Sequence, residues 1–245
     1  MGVTVRSFWL PRLGHKPDEY EDAFAAEPST GRYAIADGAG EGAFTGLWAR
    51  LLVDGFAHAP NPDLAGWPDA LAGVQAEWNG AMHGRPLPWY GQEQVAEGAF
   101  ATFLGLIVEH ANDATHRWQA VSVGDCCLFH TRGPTLLTAF PIGNSGEFGN
   151  APRLVGSRMP AEQAAARVCH AEGFACPDDR LWLMTDALAH WCLASHEAGA
   201  DPWQAMEPLL APEATVDSFR LWVDDLHATG RLRNDDVTLM VLQIR

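Results

Sequence analysis

Basic residues are scarce in this chain of 245 residues: 16 Lys and Arg stand against 31 Asp and Glu, and Lys16 is the one lysine. The formal net charge of −15 opposes general binding to phosphate backbones and to anionic lipid. We therefore expect neither nucleic acid nor a membrane surface as a partner. The acidic residues either serve solubility alone, or some of them hold cations.

Long apolar runs and cysteine pairs are also lacking. The longest uncharged apolar stretch, 99–108, is too short to cross a bilayer, and residues 1–14 lack the apolar core of a signal peptide. Five cysteines without a Cys-x-x-Cys spacing favour reduced thiols over disulfides or a zinc site. We expect a cytoplasmic protein with a single domain over residues 1–245, because 47% hydrophobic residues suffice to bury a core.

Apolar and β-branched runs that end at turn signals predict strands. These runs are Tyr33–Ala36, Thr102–Glu109, Trp118–Val123, Cys126–Thr131, Arg180–Thr185 and Val237–Ile244. Gly124-Asp125 leaves almost no linker between two of them, which predicts a hairpin and an antiparallel pairing. Helical periodicity predicts helices at Phe44–Phe56, Asp69–Met82, Ala161–Ala171, Ala187–Ala198 and Val216–Ala228, with loops at 59–68, 84–92 and 141–157. This order of elements favours an α+β fold.

Aspartates recur where the predicted strands meet turns. Asp37, Asp125 and Asp186 each follow an apolar strand, and Asp235-Asp236 directly precede one. Rigid strand ends can bring acids from distant parts of the chain together, although for any one of these residues alone the frequency of Asp in turns is the better explanation. Together they favour a site for Mg²⁺ or Mn²⁺, because oxygen ligands select hard cations and clustered carboxylates repel one another.

Six motifs then give a more specific indication. They are EDAF (21–24), YAIADGAGEGAF (33–44), the Thr102 region, VSVGDCCLFHTR (121–132), LWLMTDAL (181–188) and NDDVTLMVL (234–242). In this order they resemble the motif series of the metal-dependent serine/threonine protein phosphatases of the type 2C kind (PPM), in their bacterial form. The resemblance spans the chain from residue 15 onward and implies a four-layer α/β/β/α sandwich with two central antiparallel sheets.

The resemblance also implies a site and a reaction. Two or three Mn²⁺ or Mg²⁺ ions would lie in a cleft at the sheet edges, and water bridging two of them would attack phosphoserine or phosphothreonine without a covalent phosphoenzyme. A phosphorylated protein would be the substrate, and a cognate serine/threonine kinase its counterpart. The residues that the resemblance assigns to the metals are Asp37, Gly38 through its carbonyl, Asp186, Asp235, Asp125 for a third ion, and Glu21 in support, with Asp22 holding metal-bound water.

Several positions depart from the family pattern. The basic residue expected five positions before Asp22 is Pro17, so the neighbouring Lys16 becomes the candidate that binds substrate phosphate. Ala39 replaces a histidine that some members use as a general acid. Two alternatives follow: a catalytically weak or inactive module that kept the fold for binding or regulation, and a phosphatase for a small phosphorylated metabolite.

Two further departures lie beside presumed ligands. Ala187 follows Asp186 where the family has glycine, and Asp236 follows Asp235 where the family has asparagine. Both changes keep the presumed ligand and alter its neighbour. They are therefore expected to affect the affinity for metal more than the geometry of its ligands.

Overall fold

Two antiparallel β-sheets pack face to face, with helices on both outer sides. The computed structural model describes residues 2–39, 44–59, 64–85, 95–112, 115–149 and 151–245, apart from the side chains of residues 65, 68 and 69. The predicted four-layer sandwich is confirmed. None of the helices in these ranges combines the length and apolar character needed to span a membrane.

Five strands form the first sheet. In spatial order they are β1 (Val3–Leu10), β11 (Val237–Ile244), β10 (Asp179–Met184), β6 (Cys127–Arg132) and β7 (Thr135–Phe140). The second sheet runs β2 (Asp22–Glu27), β3 (Arg32–Ala39), β4 (Phe100–Asn112), β5 (Thr115–Val123) and β9 (Cys169–Ala175), with the short β8 (Val155–Gly156) paired to β4.

The helices cover the outer faces of the two sheets. Over the second sheet lie α1 (Thr45–Ala57), α2 (Trp67–Met82) and the short α3 (Ala161–Ala165); over the first lie α4 (Asp186–Glu197), α5 (Pro202–Met206) and α6 (Val216–Ala228). Single 3-10 turns occur at Pro17–Glu19, Leu64–Gly66, Ser145–Glu147 and Glu207–Leu210.

The central strands are buried on both faces. In β10, Leu181 and Leu183 pack between the sheets, while Trp182 and Met184 pack against the helices. This arrangement explains why the sequence shows continuous apolar runs rather than alternation. Burying each large apolar side chain stabilises the fold by roughly 1.5–3 kcal/mol.

The predicted hairpin at Gly124-Asp125 is wrong. β5 pairs with β4 and β9 in the second sheet, whereas β6 pairs with β10 and β7 in the first. The two residues therefore carry the chain from one sheet to the other. The sequence signal was a tight turn, and a tight turn alone does not show whether the next strand returns to the same sheet.

The predicted helix Ala161–Ala171 is also wrong beyond Ala165. Cys169–Ala175 forms β9, whose half-buried and exposed residues alternate, and Gly173 lies against the ring of Trp118, which a Cβ would approach to 2.6 Å. Alanines before this strand masked the alternation. Strands β1, β2 and β7 were not predicted either, nor was the short β8, which with the 3-10 turn at Ser145–Glu147 interrupts the predicted loop 141–157.

The other predicted helices are confirmed to within two residues, and α6 has the predicted bounds, whereas α5 was not predicted. Predicted loop 59–68 gives way to a 3-10 turn at Leu64 and to α2 at Trp67. Parts of the predicted loops, 60–63, 86–92 and 150, lie outside the described residues, as does 40–43 of the motif 33–44.

Candidate metal centre

Asp22 and Asp37 lie opposite each other on neighbouring strands β2 and β3. The amide of Gly38 donates to the Glu21 carbonyl oxygen at 3.3 Å, and a Cβ on Gly38 would come within 2.8 Å of that oxygen. Only glycine lets β3 approach the neighbouring backbone this closely. The Glu21 carboxylate accepts a hydrogen bond from the Thr45 hydroxyl at the start of α1.

Asp125 reaches the same edge through the crossing between the sheets. Gly124 has φ +98°, and a Cβ on it would meet Thr102 Cγ2 at 2.6 Å and the Arg153 carbonyl oxygen at 2.7 Å. The tight crossing therefore requires glycine and sets Asp125 near Asp37 and Asp186. Asp125 is 4% exposed.

Asp186 and Asp235 complete the cluster of aspartates, and Arg233 lies between them. Asp186 is the first residue of α4, and Asp235 precedes β11 by two positions. The Arg233 guanidinium donates to Asp186 Oδ2 and lies 3.4 Å from Asp235 Oδ2. Ala187, which stands where the motif series that the sequence resembles has glycine, is buried in the core beneath α4 and leaves Asp186 at the edge.

The electrostatics show that these acids repel one another. Burial, followed by the charges of Asp22, Asp186, Asp235 and Asp125, raises the pKa of Asp37 well above its ordinary value. Burial and Asp186 raise the pKa of Asp125 to about 7, and burial also raises the pKa of Asp235. Clustered carboxylates of this kind favour a cation among them.

The guanidinium of Arg233 neutralises part of the negative charge of these aspartates. Burial alone would lower the pKa of its guanidinium, but Asp186, Asp235 and Asp125 outweigh burial and raise it. The arginine therefore acts as an internal counter-ion at the two carboxylates that the motif series assigns to one metal. Sequence reasoning missed this contact, because nothing in the spacing of NDDVTLMVL shows where a preceding arginine side chain points.

Two buried carboxylate oxygens in the cluster have no hydrogen-bond partner among the described residues. They are Oδ1 of Asp22 and Oδ1 of Asp125. Leaving a buried polar atom unpaired costs roughly 1–3 kcal/mol, and more when the group is charged. As the side chains stand, no three His, Cys, Asp or Glu residues of the described ranges are gathered closely enough to hold an ion. The donor set nevertheless fits hard divalent cations, because it consists of oxygen atoms and two of these are unpartnered.

A chain of hydroxyls positions Asp22. The Thr238 hydroxyl donates to Asp22 Oδ2 at 2.6 Å, and because its single proton is used there, the Tyr20 hydroxyl donates to Thr238. The Thr238 amide in turn donates to Thr185 Oγ1 at 3.0 Å. One oxygen of Asp22 is thereby fixed, and the other is buried without a hydrogen-bond partner among the described residues.

Asp236, which stands where the motif series that the sequence resembles has asparagine, fastens the loop 11–21 to the start of β11. Its two carboxylate oxygens accept from the amides of Arg12 at 2.8 Å and Glu21 at 2.7 Å. This anchoring places the Arg12 guanidinium 3.8 Å from the Glu21 carboxylate. Lys16, the cation that the sequence favoured, is exposed beside Glu19 in the 3-10 turn.

The extended backbone through β6 excludes a cysteine-based active site built on Cys126 and Arg132. Cys126 and Arg132 are separated by five residues, the spacing found in thiol-dependent phosphatases, but an extended strand holds such residues about 20 Å apart. Cys126 is fully buried, and burial raises the pKa of its thiol well above the ordinary value. Arg132 is paired with Asp179. The adjacent Cys126 and Cys127 face opposite sides of the first sheet and form no disulfide.

The structure thus brings together Asp22, Asp37, Gly38, Glu21, Asp125, Asp186 and Asp235, and leaves Lys16 apart. Paired antiparallel sheets between helix layers, with aspartates at a shared edge, define the phosphatase-like sandwich that the sequence motifs resemble. No family model matches the sequence, and no curated protein matches it either.

Solved structures that include serine/threonine phosphatases share this fold. PppA of Pseudomonas aeruginosa, described as a key regulatory component of T6SS, aligns over 99% of this chain and 98% of that one with a TM-score of 0.64 and 20% identity. The serine/threonine phosphatase PstP/Ppp of Mycobacterium tuberculosis aligns over all of both chains with a TM-score of 0.66 and 18% identity. The catalytic domain of PstP in complex with two manganese ions aligns over 99% of both chains with a TM-score of 0.64 and 17% identity. At these identities the likeness establishes the fold.

Proposed function

We propose that the protein is a Mn²⁺- or Mg²⁺-dependent phosphatase that hydrolyses phosphoserine and phosphothreonine in proteins. The observation that carries this proposal is the pair of buried, unpartnered oxygens on Asp22 and Asp125, at the edge where Asp37 and Asp186 also lie. Divalent cations would offset the cost of burying these acids. The fold shared with solved serine/threonine phosphatases supports a phosphate ester as the substrate.

The ions would be held by side chains from both sheets. Asp37, the Gly38 carbonyl, Asp186 and Asp235 would provide the main ligands, and Asp125 with Asp186 would hold a third ion. Bound ions would supply an activated water and neutralise charge on the transferred phosphoryl group. Asp22, fixed through Thr238, would orient water by its free oxygen, and Glu21 would brace the Gly38 backbone from behind.

We assign capture of the substrate phosphate to Arg12. Its backbone is fastened by Asp236, and its guanidinium adjoins Glu21, one residue from Asp22. A guanidinium also binds phosphate through two parallel hydrogen bonds, which an ammonium cannot do. Lys16 lies farther along the loop, and comparing Arg12→Gln with Lys16→Gln would show which cation sets the KM for a phosphopeptide.

The direct test is the release of phosphate from a phosphoseryl peptide in millimolar Mn²⁺. We expect turnover by the wild type, a loss of at least about 100-fold in Asp37→Asn, and no change in Asp224→Asn, an exposed residue of α6 that serves as a charge-matched control. Equal rates in wild type and Asp37→Asn would refute the proposal.

A second candidate, a non-catalytic binding module, is favoured by Arg233. Its contacts with Asp186 and Asp235 supply a cation at the place where the motif series expects a metal. Under this alternative the contacts of Arg233 with Asp186 and Asp235 would persist in Mn²⁺, and neither metal binding nor turnover would be detected. Metal binding together with turnover would exclude it.

A further inference from the structure

A cavity of about 430 Å³ lies next to the aspartate cluster, between the loop 11–21 and the first turns of α1. Glu21, the neighbour of Asp22 in the sequence, and Thr45 line this cavity. The hydrogen bond between their side chains forms part of the wall between the cavity and the aspartates. A substrate whose phosphate reached the aspartates would therefore place neighbouring groups at this cavity.

Three arginines line the cavity, in a chain with a net charge of −15. Arg50 lies on α1, Arg85 follows α2 and stacks at 5.0 Å from the ring centroid of Phe44, and Arg12 comes from the loop. Arg12 adjoins Glu21, but among the described residues no carboxylate forms an ion pair with Arg50 or Arg85. Within the described part of the chain, these two guanidinium groups therefore have no acidic partner and face the cavity as candidate donors to an anion.

The start of α1 adds to the positive character of the cavity. Thr45, Gly46 and Leu47 line it, and the first amides of a helix lack partners within the helix and favour negative charge. Acidic residues are also present: Glu19 turns its carboxylate back to the Lys16 amide at 2.8 Å, whereas Asp18 stays exposed at the rim. The cationic side is therefore the one formed by α1 and Arg85.

We propose that this cavity is an anion-binding subsite, which receives a carboxylate or a second phosphate close to the phosphorylated residue of the substrate. The inference rests on the proposed function and specifies its substrate class: phosphoproteins with acidic or doubly phosphorylated segments. Arg50 and Arg85 would each grip the anion through charge-assisted hydrogen bonds.

The test measures binding of fluorescent peptides in Mn²⁺ by anisotropy. The peptides carry a non-hydrolysable phosphonate mimic of phosphoserine flanked by alanines, by aspartates, or by a second phosphonate. We expect wild type to bind one or both acidic peptides about tenfold or more tightly than the alanine peptide, since hydrogen bonds between charged groups are the strong ones. The peptide that gains more identifies the source of the anion.

Variants assign that preference to the cavity. The double variant Arg50→Gln with Arg85→Gln should bring the ratio of the affinities for the acidic and the alanine peptides close to one, and Arg50→Lys should give an intermediate ratio. Arg220→Gln, which changes an exposed arginine of α6, should keep the wild-type ratio. Thermal melts establish that each variant is folded. No preference in wild type, or a preference that survives the double variant, would overturn the inference.

Turnover of a small aryl phosphate separates this inference from the proposed function. Wild-type turnover without peptide preference would refute the subsite alone. Absence of turnover, together with an arginine-dependent preference, would refute the phosphatase proposal and leave the subsite supported.

Discussion

Two buried acid sites in this molecule differ in how their charge is met. Asp179 is fully buried at the start of β10 and accepts four hydrogen bonds: from His130 Nε2 at 2.9 Å, from Arg132 Nε at 2.7 Å and Nη2 at 2.9 Å, and from the Cys176 amide at 2.8 Å. Burial would raise its pKa, but these donors outweigh burial and lower it. Asp179 is a carboxylate whose partners are all supplied by the protein.

The cleft aspartates show the opposite condition. Asp22 and Asp125 keep unpartnered oxygens, and the pKa values of Asp22, Asp37 and Asp125 are raised by burial and by one another. A fold that supplies hydrogen-bond donors to both carboxylate oxygens of Asp179 could do the same for other buried acids. The unpaired cleft acids therefore point to a role for an external cation, with Arg233 as a partial substitute.

The largest expected effect lies at the satisfied site. Asp179→Ala should lower the free energy of unfolding by about 3–5 kcal/mol, because it leaves Arg132 and His130 without their buried partner. Urea unfolding measures this loss, with Asp224→Ala as a control that should change little. A loss below about 1 kcal/mol would show that Asp179 is no better satisfied than the cleft acids.

Replacing the internal counter-ion should strengthen the binding of metal. Arg233→Gln removes a cation that competes for Asp186 and Asp235, so we expect Mn²⁺ to bind about tenfold more tightly, equivalent to about 1.4 kcal/mol. Titration calorimetry measures the affinity, and Arg231→Gln, whose partner is the surface residue Asp225, serves as the matched control. Weaker binding in Arg233→Gln would mean that the arginine helps to build the site.

Neutralising one cleft acid should have a small effect of opposite sign in the absence of metal. Asp125→Asn relieves repulsion from Asp186 without changing the shape of the side chain, so in EDTA the protein should be unchanged or more stable by up to about 1 kcal/mol. The same variant should lose the stabilisation by Mn²⁺ that the wild type shows in thermal melts. Destabilisation in EDTA comparable to that of Asp179→Ala would contradict the comparison.

The pH dependence of stability should also differ between the two sites. The pKa of Asp125 in the folded state, about 7, exceeds its ordinary value of 3.8, so the folded protein binds a proton that the unfolded chain has released, and metal-free stability should fall as pH rises between these values. Asp179 has a lowered pKa, so its contribution is present above the ordinary value and is lost as pH falls below it. Urea unfolding in EDTA from pH 3 to 8 tests both parts of this pH dependence. Asp125→Asn should make the fall in stability at the higher pH values less steep.

Much of the fold and part of the site could be predicted from the sequence. Continuous apolar runs marked the doubly buried strands such as β10 and β11, and acids at their ends marked the cleft. β9 was missed because its alternation of half-buried and exposed residues follows an alanine-rich stretch. The crossing at Gly124-Asp125 was missed because the residues of a turn do not determine which strands pair on either side of it.

The directions of side chains in loops could not be predicted from the sequence. Spacing indicated Lys16 as the phosphate-binding cation and did not draw attention to Arg12, which lies beside Glu21 because Asp236 holds the loop. The position of Arg233 likewise depends on contacts between residues 47 positions apart in sequence. Such contacts follow from the packing of the two sheets and leave no local pattern to detect.

Calorimetric titration of the metal-free protein with Mn²⁺ at pH 7 tests the central claim most directly, because that claim concerns the cleft acids as a cation site. We predict binding of at least two ions by the wild type and by Asp224→Asn, and loss of that binding in Asp37→Asn. No heat of binding in the wild type, or equal binding in Asp37→Asn, would contradict it.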